Sequence, residues 1–219
     1  MKSGWTRLLW YASRLLYAQL AWSYDLVAWL VSGGQWRSWT RVGLQEMPAS
    51  AVVEIAFGPG HLLRERADDG APLIGVDRSP QMVRQAAQRL RRGGHPPRLV
   101  RGDVRRLPLA PGRLDGILST FPAEFILDPA THREVARVLA PGGVFVVIPS
   151  ARLTGKGPLD RLFGSLARQA ALENPLPGFR QALEAVGFQV DQGWVRLPRS
   201  EVLRIIARRA SNRPSEAAA

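Results

Sequence analysis

Val52-Val53-Glu54-Ile55-Ala56-Phe57-Gly58-Pro59-Gly60 decides how this chain is read. Residues Ala51 to Ala56 are a short apolar run rich in β-branched side chains, and Phe57 to Gly60 is a small-residue turn. That pattern predicts a buried parallel strand that stops at a tight turn. Working outward, His61 to Ala67 suits a helix and Pro72 to Val76 a second strand. Ser79 to Arg92 suits a helix with Ser79 as N-cap and Pro80 at its first position. Arg98 to Arg101 reads as a third strand, Leu114 to Leu118 as a fourth, Pro129 to Leu139 as a helix and Val144 to Ile148 as a fifth strand. Strand and helix alternate throughout, which implies an α/β fold with a parallel sheet covered on both faces. Pro177 to Val186 predicts one more helix. Phe188 to Leu197 and Glu201 to Ala207 then predict two late strands, joined by the short turn Leu197 to Ser200 and so antiparallel.

Composition narrows the chemistry. The chain has 219 residues, a formal charge of +12, no cysteine and three histidines, His61, His95 and His132, far apart. Disulfides, thiolate nucleophiles and cysteine-ligated metals are excluded, and no metal site is expected. The basic excess is almost wholly arginine and widely scattered, so a solvated surface is a better reading than nucleic-acid recognition. The densest cluster, Arg84 to Arg106, lacks the interleaved aromatics of a stacking platform for single strands.

Aromatic residues are unevenly placed. Trp5, Trp10, Trp22, Trp29, Trp36 and Trp39 and all three tyrosines, Tyr11, Tyr17 and Tyr24, lie in the first 39 residues. Apolar positions there recur every three or four residues, which predicts amphipathic helices. No apolar run approaches the roughly 20 residues that span a bilayer, and no signal-peptide pattern is present, so a cytoplasmic location is expected. Two uses stay open for the segment: a lid over an apolar pocket, which is preferred, and a helix in a membrane interface through residues 1–31. The expected organisation is an aromatic helical lid at 1–48, a main domain at 49–210 with an acceptor-side insertion at 151–177, and an unstructured tail at 211–219. Within the insertion, Leu159 to Leu172 suits part of a lid or an ordinary covering helix.

In a parallel sheet of this type a ligand binds outside the carboxyl ends of the strands, beside the first strand. Four features are expected there: the glycine turn with Glu54; Asp77, able to accept both hydroxyls of a ribose; Asp103 with Val104, suited to an adenine; and the turn Ala140-Pro141-Gly142-Gly143. The dinucleotide fingerprint fails, because Gly58 and Gly60 are followed by Leu63 where a third glycine is needed. Glu54 near the turn repels phosphates and suits a cation. A Walker loop is excluded by the absence of Gly-Lys-Ser/Thr after the glycines.

The order of these pieces resembles the class I S-adenosylmethionine-dependent methyltransferases. VVEIAFGPG is similar to that family's first motif, GVDRS (Gly75 to Ser79) to its second, RGDVRRLPL (Arg101 to Leu109) to its third, LDGILSTFP to its fourth and RVLAPGGVFVV to its fifth. The resemblance implies a Rossmann-like, seven-stranded, mostly parallel sheet with its last strand antiparallel, and S-adenosyl-L-methionine as cofactor. By it, Glu54, Gly58 and Gly60 surround the methionine part, Asp77 meets the ribose and Asp103 the adenine. Ala56, Phe57, Arg78, Met82, Gly102, Val104, Ser119, Thr120 and Phe121 complete the implied cofactor set. Ala56 departs from the family's usual glycine, and the bulk of Phe57 beside the cofactor has no explanation in the sequence. Tyr17 to Asp25, continuing to Ser32-Gly33-Gly34 and Trp39, resembles the opening segment of the quinone-biosynthesis C-methyltransferases, which implies a small lipid-like acceptor such as a quinol or phospholipid.

Methyl transfer from a sulfonium needs alignment and exclusion of water more than an acid–base pair. Candidates for a base are Tyr24, Glu124, Asp128 and His132, and each has a structural reading as well: packing, a solvated helix face, or a cap. Ser119-Thr120-Phe121-Pro122 lacks the pattern of enzymes that methylate amino groups of DNA bases, and cysteine-adduct chemistry is impossible. An RNA methyltransferase and a non-catalytic cofactor-binding scaffold are the alternative readings.

Overall fold

The computed structural model describes residues 28–29, 32–71, 73–155, 157, 176 and 178–211. In chain order it contains α1 (Trp36–Leu44), β1 (Val52–Ile55), α2 (His61–Asp68), β2 (Ile74–Asp77), α3 (Pro80–Arg92), β3 (Leu99–Arg101) and β4 (Leu114–Thr120). After a 3-10 turn (Glu124–Leu127) come α4 (Pro129–Val138), β5 (Leu139–Leu153), α5 (Phe179–Glu184), β6 (Phe188–Leu197) and β7 (Ser200–Arg209). The strands form one Rossmann-like sheet in the order β3-β2-β1-β4-β5-β7-β6. The first five pair in parallel, and β7, the last in sequence, runs antiparallel to both β5 and β6.

Side-chain alternation divides the core into two layers, because successive residues of a strand point to opposite faces. Val146 and Ile148 of β5, Leu118 of β4 and Val202 and Ile206 of β7 pack with Trp39 and Val42 of α1, Leu62 and Leu63 of α2, and Met82, Ala86 and Leu90 of α3. Phe145 and Val147 of β5, Ile117 of β4 and Ile205 and Ala207 of β7 pack on the other face with Val135 and Val138 of α4 and Phe179 and Leu183 of α5. The helix starts follow local chemistry: Ser79 Oγ accepts from Met82 N at 3.4 Å and Asp128 Oδ1 from Ala130 N at 2.8 Å, each ahead of a proline in the first turn.

The described part of the expected 1–48 lid does not stand apart from the domain. α1 lies on the sheet so closely that a Cβ on Gly43 would come 2.6 Å from Leu118 Cδ1 and 3.1 Å from Ile148 Cγ1. It runs from Trp36, beside Phe121 just past the end of β4, toward Met47 and Pro48, which lie within 3.3 Å of a Cβ built on Gly116 near the start of β4. Residues 1–27, and with them Tyr24 and most of the proposed interfacial segment, fall outside the described residues, as do 158–175 and 212–219. Among the described residues no helix is long and apolar enough to cross a membrane.

Two expectations need correction. β5 extends well beyond Val144 to Ile148, and pairs with β7 as far as Leu153↔Ser200, past its last pairing with β4 at Thr120↔Ile148. The register shift between Val147 and Ser150 absorbs Pro149, which has no N–H for a ladder. β5, β7 and β6 therefore project past the carboxyl edge of the parallel strands. Ala140 to Gly143 does not join the other three features at that edge. It bulges from the amino end of β5, between the Leu114↔Leu139 and Gly116↔Val144 pairings, about 13 Å from Thr120 along the strand. A turn that leads into a parallel strand must sit at the edge opposite the one where that strand ends.

Candidate active site

The carboxyl edge is built from the ends of β1, β2, β3 and β4. After Ile55 the chain turns through Ala56 in a left-handed conformation (φ 53°), with Ala56 N bonded to Val76 O at 2.7 Å. An alanine there carries a cost of about 1 kcal/mol that glycine avoids. Gly58 and Gly60 are also left-handed, for different reasons. A Cβ on Gly58 would meet nothing within 4 Å, so this position faces open space. A Cβ on Gly60 would lie 2.5 Å from Ala86 Cβ, so this glycine lets α3 approach the turn. Arg89 of α3 also donates to the Pro59 carbonyl and pins the turn from outside.

Phe57 points away from the edge. It is 5% exposed, packs among Leu62, Leu63 and Met82, and lies 2.6 Å from where a Cβ on Gly75 would stand. Its bulk fills the space that Gly75 leaves, which explains both residues. Met82 likewise belongs to the core, 4% exposed, and only its backbone N–H takes part in the turn after β2.

Asp77 and Glu54 are both buried, 8% and 2% exposed. Asp77 Oδ2 accepts from Gly58 N at 3.1 Å and Oδ1 from Ser79 N at 2.8 Å. The carboxylate keeps acceptor capacity toward a ligand's hydroxyls. Burial raises its pKa above the ordinary value, offset in part by backbone N–H groups of Ser79, Gly58 and Arg78. Glu54 has no such relief: Oε2 is buried with no hydrogen-bond partner, and desolvation, with Asp77 adding to it, holds the carboxyl well above its usual range. A buried acid without a cation costs stability and makes a site for positive charge. Open space at Gly58, a buried carboxylate that can accept hydroxyls and an unpartnered acid fit a ligand that carries a diol and a cation, as S-adenosylmethionine does.

Asp103 lies at the same edge after β3, half-buried, and is already engaged. Its Oδ1 accepts from Arg105 N and Nε, both at 2.9 Å, and its Oδ2 from Arg105 Nη2 at 2.5 Å. This pairing depresses the Asp103 carboxyl to about 2. Arg105 also comes within 3.6 Å of Asp128. Gly102 N bonds to Asp77 O at 3.1 Å and ties this loop to β2, while Val104 is 7% exposed and packs inward. Arg78 is exposed beside Asp77. Ser119 is fully buried and its Oγ donates to Ile55 O at 3.3 Å, which joins the ends of β4 and β1. Thr120 and Phe121 follow at the rim, half-buried.

Of the candidate bases, Glu124 is exposed and Asp128 serves as the N-cap of α4. His132, read from sequence as lying on a solvated helix face, is 2% exposed. Its Nε2 lies 2.7 Å from the Ile126 carbonyl and its ring meets Phe179 edge-on at 5.4 Å. With one nitrogen committed to a backbone carbonyl and almost no exposed surface, it is a core residue and not a base.

Sequence reasoning missed an aromatic cluster at this edge. Phe121 stacks on Trp36 with ring centroids 4.3 Å apart, and Trp39 stands 6.1 Å from Phe121. The three-residue spacing of Trp36 and Trp39 marked one helix face, but nothing in the sequence paired it with Phe121.

A family model described as "Methyltransferase domain" matches residues 52–143. The chain is 33% identical over 166 residues to a demethylmenaquinone methyltransferase of Mycolicibacterium vanbaalenii, an alignment spanning 74% of this chain and 68% of that protein. A demethylmenaquinone methyltransferase of Thermus thermophilus is 32% identical over 141 residues, 61% of this chain and 63% of the relative. Among solved structures, phosphoethanolamine N-methyltransferase 2 of Haemonchus contortus superposes with a TM-score of 0.61 at 15% identity, covering 90% of this chain and 60% of that one. A methyltransferase of Thermotoga maritima superposes at 0.58 and 18% identity, covering 89% and 99%. The structural likenesses speak for the fold and the sequence likeness for descent: the chain belongs to the class I S-adenosylmethionine-dependent methyltransferases, is similar to their quinone-biosynthesis members, and is an enzyme that takes its methyl group from S-adenosylmethionine.

Proposed function

We propose that the protein methylates a ring carbon of a small apolar aromatic acceptor of the quinol type. The observation that carries this reading is the aromatic cluster of Trp36, Trp39 and Phe121, at the same carboxyl edge as the glycine turn. The demethylmenaquinone methyltransferases to which the chain is similar support the choice of acceptor. When bound, S-adenosylmethionine supplies a sulfonium-activated methyl group, whose transfer to a ring carbon displaces the ring proton to solvent and leaves S-adenosylhomocysteine.

In this reading the chain binds and orients. The Asp77 carboxylate takes the ribose hydroxyls, and Gly58 gives the ligand close approach to the backbone. Glu54 ionises against the cationic methionine part, beside the turn that Ala56 and Gly60 shape. Asp103 meets the adenine by giving up part of its pairing with Arg105, while Gly102, Val104 and Arg78 border that pocket. Ser119 and Thr120 form the floor between cofactor and acceptor, and Phe57 and Met82 act from the core by fixing the turn and the start of α3. The segment before α1 caps the site and touches the membrane from the cytoplasmic side. Trp29, at the described end of that segment, is 60% exposed. Co-sedimentation with anionic liposomes that persists after deletion of residues 1–27 would remove the membrane part of the reading.

The test of the whole reading uses calorimetric titration with S-adenosylmethionine and methyl transfer to 1,4-naphthohydroquinone. Wild type should bind the cofactor and methylate the ring. Asp77→Ala should weaken cofactor binding at least tenfold, about 1.4 kcal/mol. Cofactor binding with no methylation of any hydroquinone would overturn the acceptor assignment.

A further inference from the structure

Two unfavourable features meet at the acceptor side of the carboxyl edge. Phe121 is held in the left-handed region (φ 47°), which a residue with a large side chain rarely adopts, while its N–H bonds to Ile148 O at 2.7 Å. That conformation accompanies its stack on Trp36, with the rings 28° from parallel. The second feature is Gln35, the residue before α1. Trp39 Nε1 donates to Ser200 Oγ at 2.8 Å and Ser200 Oγ donates to Gln35 Oε1 at 3.0 Å, which leaves Gln35 Nε2 buried with no partner. A strained aromatic and an unmet donor, one residue before and directly against the same tryptophan, are features that functional sites retain.

The parts of the cluster differ in what they do. Trp39 is 4% exposed and bonded at its nitrogen, so it anchors α1 to the β6–β7 turn. Trp36 and Phe121 are only partly buried, packed against the edge of the core. Pairs used purely for core packing are fully buried; this pair stands half-buried at the rim of the carboxyl edge. Stacked rings attract a further flat ring at an offset.

Resting on the acceptor class proposed above, we infer that the Trp36–Phe121 stack is the platform on which the acceptor ring lies, and that the Gln35 amide donates to one of the ring oxygens. The platform selects flat aromatic rings over saturated lipids. The amide selects rings that carry an oxygen.

The experiment measures methyl transfer to 1,4-naphthohydroquinone under anaerobic conditions with full-length wild type, Trp36→Ala, Trp36→Phe, Phe121→Leu and Gln35→Glu, with S-adenosylmethionine affinity read in parallel by calorimetry. Trp36→Ala should raise the hydroquinone KM at least tenfold and leave cofactor affinity within twofold, and Trp36→Phe should restore the KM to within threefold of wild type. Phe121→Leu should raise the KM in the same way. Gln35→Glu keeps the acceptor for Ser200 and loses the donor, so it should lower kcat/KM for the hydroquinone at least fivefold. If wild type methylates the hydroquinone and Trp36→Ala and Phe121→Leu match it in KM, the platform is wrong and the proposed function stands. If wild type binds the cofactor and methylates no hydroquinone, both readings fall together. Should Trp36→Ala not fold, Trp36→Phe and Phe121→Leu carry the decision.

Discussion

The carboxyl edge has two halves of opposite construction. The half proposed to hold the cofactor, at the ends of β1, β2 and β3, is polar and local: Asp77 accepts from Gly58 and Ser79, and Asp103 from Arg105 two residues away. The half proposed to hold the acceptor is aromatic and assembled from distant chain: Trp39 bonds to Ser200, 161 residues on, and Trp36 stacks on Phe121. A cofactor with fixed chemistry can be met by a fixed local motif. The aromatic corner is instead built from whichever side chains the fold brings to the rim.

That contrast predicts that the two halves respond separately to mutation. The largest effect should come from Gly43→Val, which forces side-chain atoms into the contact of α1 with Leu118 and Ile148. Overpacking there should cost about 2 kcal/mol, a fall in Tm of about 4–8 °C by calorimetry. Displacing α1 should also disturb Trp36 and raise the acceptor KM, with cofactor affinity preserved at temperatures where the variant is folded. Loss of cofactor binding by the folded variant would erase the distinction between the halves.

Next in size is Glu54→Gln, which should weaken S-adenosylmethionine binding tenfold or more. The same change should leave the ligand-free protein as stable as wild type at neutral pH, or more so, because it removes an unpartnered buried acid. A variant that is less stable and binds normally would make Glu54 a structural residue.

The pH dependence sharpens the same point. Glu54 holds its proton above the ordinary carboxyl range in the folded chain, so its effect on stability is most favourable at low pH and declines as pH rises from the ordinary value to the raised one. Binding of a cation against Glu54 must release that proton. Cofactor affinity should therefore strengthen with pH by up to about tenfold per unit across that window and then level off. Glu54→Gln should abolish the slope, and an unchanged slope would point to another group. Asp103, held down to about 2 by Arg105, stays ionised throughout and contributes nothing to it.

The smallest effect should be Ala56→Gly. It relieves the left-handed backbone at φ 53° and adds freedom to the unfolded chain, for a net gain of about 0.5 kcal/mol in thermal unfolding. It acts on the cofactor half alone, so the acceptor KM should not move.

Much of the cofactor half was legible because its chemistry lies within single motifs. The strand and turn around Glu54 to Gly60, and Asp77 after β2, are contiguous signals. So was the cap of α3, Ser79 followed by Pro80. Phe57 was not legible: its direction depends on Gly75, a neighbour across the sheet. His132 was misread because its apolar partner Phe179 belongs to another helix 47 residues on. The turn Ala140 to Gly143 was placed at the wrong edge, since a motif's distance from a site depends on strand direction as well as order.

Taken alone, the sequence determined the alternation of strands and helices and the parallel core with two late antiparallel strands, because these follow from hydrophobic periodicity and short turns, and the cofactor class entered through the resemblance of its motifs to a known family. Only the tertiary structure decided that α1 is part of the core layer, that β5 runs on to Leu153, and that Gln35, Trp36, Phe121 and Ser200 share one corner. Those outcomes depend on packing between residues far apart in the chain, and a residue's local pattern carries no record of which distant surface it will meet.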